Sequence, residues 1–271
     1  MNVIKPICQN WFVVIFLLIA FIFSVRANPP KEYVLKWADE FNGDSLNTNY
    51  WNIESGARRL AVNTPAAVSV TNGCLVLTTY SEDGTNYAGF IDTRSKVLNC
   101  YGYYEARIQF NNSPGNWSAF WLQSPFIGRT NSLNNPGNGV EIDVFEHRNV
   151  TLRGTNWIDG GDHALHWNGY DKRFHRSSEF FDAHLGVASG FHTYGFLWTT
   201  NQYVFSVDGR TTWTTNYLIS STPEFVLLTS EIETKSWGGD VPTGGYPDRA
   251  HSQIKMLVDY VRYYAPPEDK E

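Results

Sequence analysis

Three observations predict that this chain of 271 residues folds as an all-β sandwich of antiparallel strands. Apolar residues alternate with polar ones and do not recur at the three- and four-residue intervals of a helix. The β-branched and aromatic runs are short, and Gly, Asn, Asp and Pro bound them. Aromatic residues make up 15% of the chain and charged residues 18%, which excludes both a disordered chain and a coiled coil.

Charge narrows the classes of partner. The formal net charge is −6, and no run of basic residues marks a nucleic-acid-binding face, so we expect no nucleic-acid partner. The excess of rings belongs to the folded domain, because the export segment predicted below contains one of the 10 Trp residues.

Residues 1–27 have the pattern of a secretory signal peptide. Lys5 gives a positive start, residues 11–25 form an uncharged apolar run, and Val-Arg-Ala at residues 25–27 offers a cleavage site. A membrane-spanning helix needs about 20 residues, so we expect cleavage and export to the extracellular space or periplasm, without stable membrane insertion. An uncleaved N-terminal anchor is the alternative. Residues 28–271 then form one domain, and we expect a monomer.

The predicted strands follow in order along this domain. Residues 68–70 and 74–79 flank an Asn72-Gly73 turn and form a hairpin. The later strands cover residues 102–110, 119–122, 140–145, 193–198, 203–207, 225–229 and 256–264. Helix signals are scarce, and only residues 182–187 suggest a single turn.

Two cysteines, Cys74 and Cys100, remain after the export segment is removed. In an exported chain two cysteines favour a disulfide, and two separate buried thiols are the alternative. The sequence leaves both open, with a slight preference for the disulfide.

Three acids stand on one predicted strand. Glu141 and Asp143 share a face because side chains alternate along a strand, while Ile142 and Val144 point into the core. Glu146 has the opposite parity, and a regular strand would bury its carboxylate without a partner. A one-residue β-bulge near Val144-Phe145 would return Glu146 to the face of Glu141.

Such a row of acids suits glycoside hydrolysis. Two carboxyl groups roughly 5 Å apart are the arrangement of retaining glycosidases, in which one attacks the anomeric carbon and the other protonates the leaving oxygen. Asp143, between the two glutamates, would raise the proton affinity of a neighbour and hold it by a hydrogen bond. A solvated strand face with ordinary surface acids is the alternative that this segment alone leaves open.

A second strand indicates a ligand-binding face. Trp117, Ala119 and Trp121 share one face, and Phe120 and Leu122 share the other. Tryptophan rings on an open sheet face suit sugar stacking. Because the two sets alternate strictly, only one belongs to the core, and we expect Trp117 and Trp121 to form the floor of a sugar cleft.

Taken together, these motifs resemble glycoside hydrolase family 16. The resemblance is carried, in order, by residues 37–43 (WADEFNG), 101–107 (YGYYEAR), 117–122 (WSAFWL), 141–146 (EIDVFE), 191–198 (FHTYGFLW), 207–209 (VDG) and 258–264 (VDYVRYY). Residues 141–146 match the family's bulged ExDxxE motif, the form found in laminarinases, agarases, carrageenases and porphyranases.

The resemblance implies a β-jelly roll whose concave sheet forms a cleft. It implies endo-acting, retaining cleavage of a β-linked polysaccharide, with Glu141 as nucleophile, Glu146 as acid/base and Asp143 as assisting acid. The implied substrate is a β-1,3- or mixed-linkage glucan or a β-galactan, and no cofactor is needed for catalysis. A transglycosylase and a non-catalytic polysaccharide-binding protein on the same scaffold are the alternatives.

Further residues take roles from the resemblance. His166 resembles the family's histidine near the acid/base, with a structural histidine as the equal alternative. His163 stands three residues before it, on the opposite face of a strand, so we expect no shared metal. Trp237 in a Gly-rich loop is expected to be a binding platform. Glu40 and Asp259 resemble a structural calcium position, although calcium takes six or more oxygens.

Arg58 and Arg59 occupy the place where laminarinase-like members usually carry an Asn-x-Glu-rich loop. This departure weakens a plain β-1,3-glucan assignment. The two arginines either pair with surface acids or bind a sulfated or acidic galactan, because Arg suits bidentate recognition of oxyanions.

Overall fold

The computed structural model describes residues 28–129, 132–150, 154–233 and 238–267. The predicted signal peptide (residues 1–27) and Trp237 lie outside this part of the chain. Within it, no helix has the length and apolar character that crossing a membrane requires.

The described residues form short strands throughout, joined by turns and two 3-10 helices, Pro65–Ala67 and Pro136–Asn138. The strands are β1 (Val34–Asp39), β2 (Asn52–Ile53), β3 (Gly56–Arg58), β4 (Ala61–Asn63), β5 (Val68–Thr71), β6 (Cys74–Thr78), β7 (Tyr80–Glu82), β8 (Thr85–Ala88), β9 (Phe90–Asp92), β10 (Leu98–Asn99), β11 (Gly102–Gln109), β12 (Asn116–Gln123), β13 (Glu141–Arg148), β14 (Gly161–Trp167), β15 (Arg176–Asp182), β16 (His192–Trp198), β17 (Tyr203–Val207), β18 (Arg210–Thr215), β19 (Glu224–Ile232) and β20 (Lys255–Ala265).

Two antiparallel sheets of eight strands each enclose the main core. The first runs β18-β17-β16-β11-β20-β6-β5 with β1 added on β20, and the second runs β15-β14-β13-β12-β19-β9-β2 with β10 added on β19. A small third sheet, β3-β4-β8-β7, lies beside them. The predicted all-β jelly-roll sandwich is confirmed.

The alternation predicted for β12 decides which face of the second sheet is core. Phe120 and Leu122 are fully buried in the main core, together with Tyr104 and Ile108 from β11 in the first sheet. Ala119 and Trp121 belong to a separate, smaller cluster on the other face. One face of the second sheet is therefore left to line a cleft.

Turn chemistry fixes the predicted hairpin of β5 and β6. Thr71 pairs with Cys74, and Asn72 and Gly73 between them both have positive φ angles, 52° and 73°. A two-residue hairpin turn of this kind needs positive φ at both positions, which Asn and Gly tolerate best. The hairpin prediction is confirmed.

The suggested helical turn at residues 182–187 is wrong. Asp182 ends β15, and the residues after it form bends. The amide of Leu185 donates to the carbonyl of Asp159, and the amide of Ala188 donates to the Asp159 carboxylate. Because this neighbouring loop supplies the acceptors, the segment has no need of helical hydrogen bonds.

The slight preference for a disulfide is also wrong, since Cys74 and Cys100 are both free thiols. Burial raises the pKa of both, that of Cys100 to about 11. Their charged neighbours differ, Asp259 for Cys74 and Glu224 for Cys100, so the two thiols occupy separate sites.

Glu40 and Asp259 are each paired with a different arginine. Both carboxylate oxygens of Glu40 accept from Arg262 at 2.8 Å, and Asp259 accepts from Arg107 at 2.7 Å. A calcium ion needs six or more oxygen ligands, whereas these two acids are occupied by guanidinium groups. The geometry does not fit a calcium site built on this pair, and structural calcium remains only a prediction from the resemblance.

Candidate active site

A β-bulge in the middle of β13 sets the geometry of the site. Asp143 pairs with Trp121 of β12, and Phe145 pairs with the preceding residue, Phe120. Val144 is thus the extra residue, with no partner of its own on β12. The predicted bulge is confirmed at its predicted position.

The bulge determines which side chains reach the cleft. Val144 and Phe145 are consecutive, and both lie fully buried in the main core. Because two successive side chains point into the core, the alternation of faces shifts by one residue after the bulge. Glu146 therefore lies on the same face as Glu141 and Asp143. All three acids line one cavity, as the sequence predicts.

The cleft consists of two adjoining cavities of about 300 Å³ and about 380 Å³. Five residues line both: Arg59, Trp117, Glu141, Glu146 and Tyr170. The two outer acids therefore stand where the cavities meet, with open space on either side.

Glu141, at the start of β13, has one oxygen held and one open. Its Oε2 accepts a hydrogen bond from the Gln123 amide at 2.9 Å and another from the Tyr170 hydroxyl. No described residue donates to its Oε1. A carboxylate held in this way presents a single, oriented oxygen to the cleft, as a nucleophile requires.

Glu146 has the environment of a general acid. It is 5% exposed, and its Oε1 accepts a hydrogen bond from the indole N–H of Trp117 at 2.9 Å. Burial raises the pKa of Glu146 well above its usual range, and the neighbouring charges of Asp143 and Asp162 raise it further. A carboxyl group kept protonated near neutral pH can donate a proton to a leaving oxygen.

Asp143 lies between the two glutamates and is paired with His166. The Asp143 Oδ2 is 3.2 Å from Nε2 of His166, which stands opposite Glu141 on β14. Burial raises the pKa of Asp143 well above its usual range, with the charge of Glu141 as the next cause. His166 thus contacts the assisting acid directly, and no described hydrogen bond joins it to Glu146.

His163 and His166 lie on opposite faces of β14, as expected, with His163 in the core and His166 in the cleft. His163 is buried, with Nδ1 at 2.6 Å from the Val144 carbonyl and Nε2 at 2.7 Å from the Thr212 hydroxyl. Burial lowers the pKa of His163 to about 4. It is a structural residue of the core.

Glu141, Asp143 and His166 are also close enough to offer ligand atoms to a metal, within 4.8 Å of one another. Asp143 already pairs with His166, and Gln123 and Tyr170 already donate to Glu141. These contacts fit proton chemistry, so we assign no metal to the three residues.

The two tryptophans reach the cleft in different ways. Trp117 donates to Glu146, and the guanidinium of Arg59 covers its ring at 4.4 Å. Trp121 is 7% exposed, packs against Phe90 and donates to the Thr229 hydroxyl at 3.2 Å. Both line the predicted cleft floor, and sugar stacking on them stays a prediction.

Arg58 and Arg59 also line the cleft, where they pair with acids. Both donate to the carboxylate of Glu231, which is 6% exposed, and Arg59 also pairs with Glu233 at 2.9 Å. Pairing with acids was one of the two alternatives, but the acid that binds both arginines belongs to the cleft floor, not to the outer surface.

Two residues that donate to Glu141, Gln123 and Tyr170, are not among the residues that the sequence predicts for the site. Gln123 continues the alternation of Ala119 and Trp121, so strand parity could have placed it on the cleft face. Tyr170 lies in a loop between two strands, where no periodic signal indicates direction.

The chain is similar in sequence and fold to known proteins. Residues 57–262 match the sequence profile described as Glycosyl hydrolases family 16. A beta-glucanase of Acetivibrio thermocellus is 30% identical over 209 residues, which cover 74% of this chain and 53% of that protein. The chain thus spans about half the length of that curated relative.

Solved structures share the fold. A laminarinase from Flavobacterium sp. UMI-01 superposes with a TM-score of 0.66 at 25% identity, covering 85% of this chain and 99% of that one. A chain from work on endo-acting O-glycanases of the human gut microbiota gives a TM-score of 0.70 at 24% identity, covering 88% of this chain and 92% of that one. Because the profile match takes in most of the chain and includes the bulged catalytic motif, the chain belongs to glycosyl hydrolases family 16.

Proposed function

We propose that this protein is an exported, endo-acting hydrolase that cleaves a neutral β-linked polysaccharide with retention of anomeric configuration. One observation carries the proposal: Glu141 and Glu146 share a cleft but have opposite environments. Glu141 is partly exposed and receives two donors, whereas Glu146 is buried and its pKa is raised. Two carboxyl groups whose environments differ in this way divide into nucleophile and acid.

In the first step Oε1 of Glu141 attacks the anomeric carbon and the glycosidic C–O bond breaks. Glu146 gives its proton to the leaving oxygen at the same time. Trp117 donates to Oε1 of Glu146, so the acidic proton belongs on Oε2. The products are a glycosyl ester on Glu141 and a free sugar hydroxyl.

In the second step Glu146, now a carboxylate, removes a proton from water. The water oxygen attacks the anomeric carbon and the ester bond to Glu141 breaks, which restores both glutamates to their starting states. The indole N–H of Trp117 stabilises the buried carboxylate that exists between the two steps.

The shape of the cleft supports endo action. The two cavities meet at the Glu141–Glu146 pair, so sugar units have space on both sides of the bond that breaks. An enzyme that only removes terminal units would need one of these sides closed.

Charge in the cleft supports a neutral substrate. Seven carboxyl groups line the two cavities, against three guanidinium groups: Glu141, Asp143, Glu146, Asp162, Glu179, Glu231 and Glu233, with Arg58, Arg59 and Arg94. Each of these arginines is paired with an acid. Arg58 pairs with Glu231, Arg59 pairs with Glu233, and Arg94 lies 3.5 Å from Asp92. Even without Glu146 and Asp143, whose pKa values burial raises, the remaining carboxyl groups outnumber the guanidinium groups, so a sulfated or carboxylated chain would meet net negative charge. The beta-glucanase relative likewise supports a glucan, with a β-1,3 or mixed linkage, ahead of a neutral β-galactan.

The test is a screen of the purified protein against laminarin, mixed-linkage glucan, agar, porphyran, carrageenan and keratan. Product sizing follows the chain length of the fragments, and proton NMR follows the anomer released first. We expect mid-chain cleavage of a neutral chain with release of the β-anomer. Release of the α-anomer, or cleavage restricted to the sulfated chains, would contradict the proposal.

Variants assign the two roles. Glu141→Gln and Glu146→Gln are expected to lose hydrolysis while still binding the polysaccharide, as measured by calorimetry. Glu82→Gln is the matched control, because Glu82 is exposed on β7, away from the cleft. Hydrolysis by Glu141→Gln at the wild-type rate would rule out the nucleophile assignment, and binding without hydrolysis by the wild type would favour a non-catalytic protein.

A further inference from the structure

The loop of residues 168–175, which joins β14 to β15, is built against the rest of the cleft. The Asn134 amide donates to the Asn168 side chain at 2.8 Å, and the Asn168 side chain donates to the Phe174 carbonyl at 3.1 Å. Gly169 packs against Gly128 so closely that an added Cβ would lie 2.7 Å from the Gly128 Cα. These contacts give the β14–β15 loop a fixed position beside the catalytic acids.

Tyr170, in this loop, reaches the proposed nucleophile. Its side chain is exposed and lines both cavities, while its hydroxyl donates to Oε2 of Glu141. The Gln123 amide donates to the same oxygen, and also to the Tyr170 hydroxyl at 2.6 Å. The loop thus helps decide which oxygen of Glu141 stays open for attack.

His175, at the other end of the loop, reaches the assisting acid through a second histidine. Its Nδ1 is 2.9 Å from the Gly169 carbonyl, and its Nε2 is 3.2 Å from Nδ1 of His166. The other nitrogen of His166 is the one that faces Asp143 at 3.2 Å. A continuous chain of hydrogen bonds therefore runs from the loop backbone to Asp143.

The Gly169 carbonyl determines how protons are arranged along this chain. A carbonyl only accepts, so His175 must carry a proton on Nδ1. Each of the two remaining links, His175 to His166 and His166 to Asp143, needs one further proton. The hydrogen-bonded chain from His175 through His166 to Asp143 therefore holds three protons. Two neutral imidazoles and a carboxylate would hold two, so the three side chains together have no net charge.

This arrangement matters for the residues on either side. A neutral Asp143–His166–His175 unit does not repel the carboxylate of Glu141, and each of its four ring nitrogens has a partner. Without His175, His166 would keep only its contact with Asp143, and its Nδ1 would lose the partner that the described residues give it.

We propose that the β14–β15 loop is a positioning element of the catalytic centre, in which Tyr170 orients Glu141 and His175 orients the His166–Asp143 pair. The proposal rests on the hydrolase function proposed above. It assigns to one loop the support of two of the three acids on β13.

Two substitutions of His175 separate positioning from simple anchoring of the loop. His175→Gln places an amide oxygen near the former Nε2, where it can accept from His166, but loses the bond to Gly169. His175→Asn places an amide donor near the former Nδ1. This variant keeps the hydrogen bond to the Gly169 carbonyl but loses the hydrogen bond to His166. We expect His175→Asn to lower kcat about tenfold or more, and His175→Gln to retain clearly more activity than His175→Asn.

Tyr170→Phe removes only the hydroxyl, and since the ring is 56% exposed the core is unaffected. We expect kcat to fall about tenfold or more with a much smaller change in KM. Glu82→Gln is the control, because Glu82 is exposed on β7, outside the cleft and outside this loop. Its kinetics should equal those of the wild type.

The outcomes distinguish the two proposals. An active wild type with Tyr170→Phe and His175→Asn at wild-type kcat would overturn the positioning role and leave the hydrolase standing. Greater loss with Gln than with Asn would overturn it as well, in favour of loop anchoring. A folded wild type inactive on every polysaccharide in the screen would overturn the hydrolase function, and the positioning role with it.

Discussion

Trp117 donates its indole N–H to Oε1 of Glu146 across 2.9 Å. The sequence predicted Trp117 as a platform for sugar, but the structure also gives this side chain a direct contact with the proposed acid. One face of its ring is covered by the guanidinium of Arg59, at 4.4 Å. Trp117 therefore links Arg59, through its ring, to Glu146, the proposed acid, through its nitrogen.

Trp117→Phe is expected to lower kcat about tenfold or more, because a hydrogen bond to a charged group is worth about 1.5–3 kcal/mol. The bond stabilises the carboxylate form of Glu146, so its loss should raise the pKa of Glu146 further and move the alkaline limb of the pH–rate profile to higher pH. Trp213→Phe on β18, away from the cleft, is the control. An unchanged kcat and profile would show that only the ring of Trp117 matters.

Strand parity allowed much of this site to be predicted. The alternation along β12 separates Phe120 from Trp121, and the opposite parity of Glu146 in the sequence indicates the bulge. Strand β15 was missed because it is a largely exposed edge strand whose residues are mostly polar and carry little alternation of hydrophobicity. The local alternation of apolar and polar residues thus predicts where a strand lies and which face of the sheet each side chain takes.

The parts of the site that the sequence does not predict depend on contacts between residues that are distant along the chain. Arg58 pairs with Glu231 across 173 positions of sequence, and His166 meets His175 across a loop. Nothing within a strand indicates such partners, because they follow from how β3, β19 and the β14–β15 loop pack. Tyr170 is the clearest case, since its hydroxyl reaches Glu141 from a loop whose path no local pattern determines.

Glu231 affects the charge that a substrate meets, because its single carboxylate pairs with both Arg58 and Arg59. Glu231→Gln removes one negative charge, takes the acid partner from Arg58 and leaves Arg59 paired with Glu233 alone. We expect this variant to bind sulfated galactan oligosaccharides more tightly than the wild type does, with a gain that disappears at high salt. Calorimetry at two salt concentrations measures it, with Glu82→Gln as control. Equal binding of sulfated chains by variant and wild type would show that the arginines do not select substrate charge.

The two free thiols give a prediction about oxidation state. Cys74 and Cys100 should both be alkylated when the protein is unfolded without reductant, as mass spectrometry of the peptides can show. In the native protein we expect slow reaction, because burial raises both pKa values and the thiolate is the reactive form. Reductant should leave the melting temperature unchanged. A disulfide-linked peptide pair, or a loss of melting temperature with reductant, would contradict the structure.

Glu224 provides the last prediction, which concerns stability and pH. It is 1% exposed at the start of β19, and its Oε1 accepts from the amide of Val140, the residue before Glu141. Its Oε2 is buried without a hydrogen-bond partner. Burial is the main reason why the pKa of Glu224 rises from an ordinary value of 4.5 to about 8.

The sign of the effect on stability follows from this shift. Between about pH 4.5 and about pH 8 the folded state holds a proton on Glu224 that the unfolded state has lost, so the free energy of unfolding should fall as pH rises through this window. Glu224→Gln keeps an oxygen to accept from Val140 and has no charge to bury. We expect the variant to lose this part of the pH dependence and to be more stable than the wild type above about pH 8. Denaturant unfolding across the pH range measures this, with the exposed Glu82→Gln as control, and an unchanged slope in Glu224→Gln would assign the pH dependence to other groups.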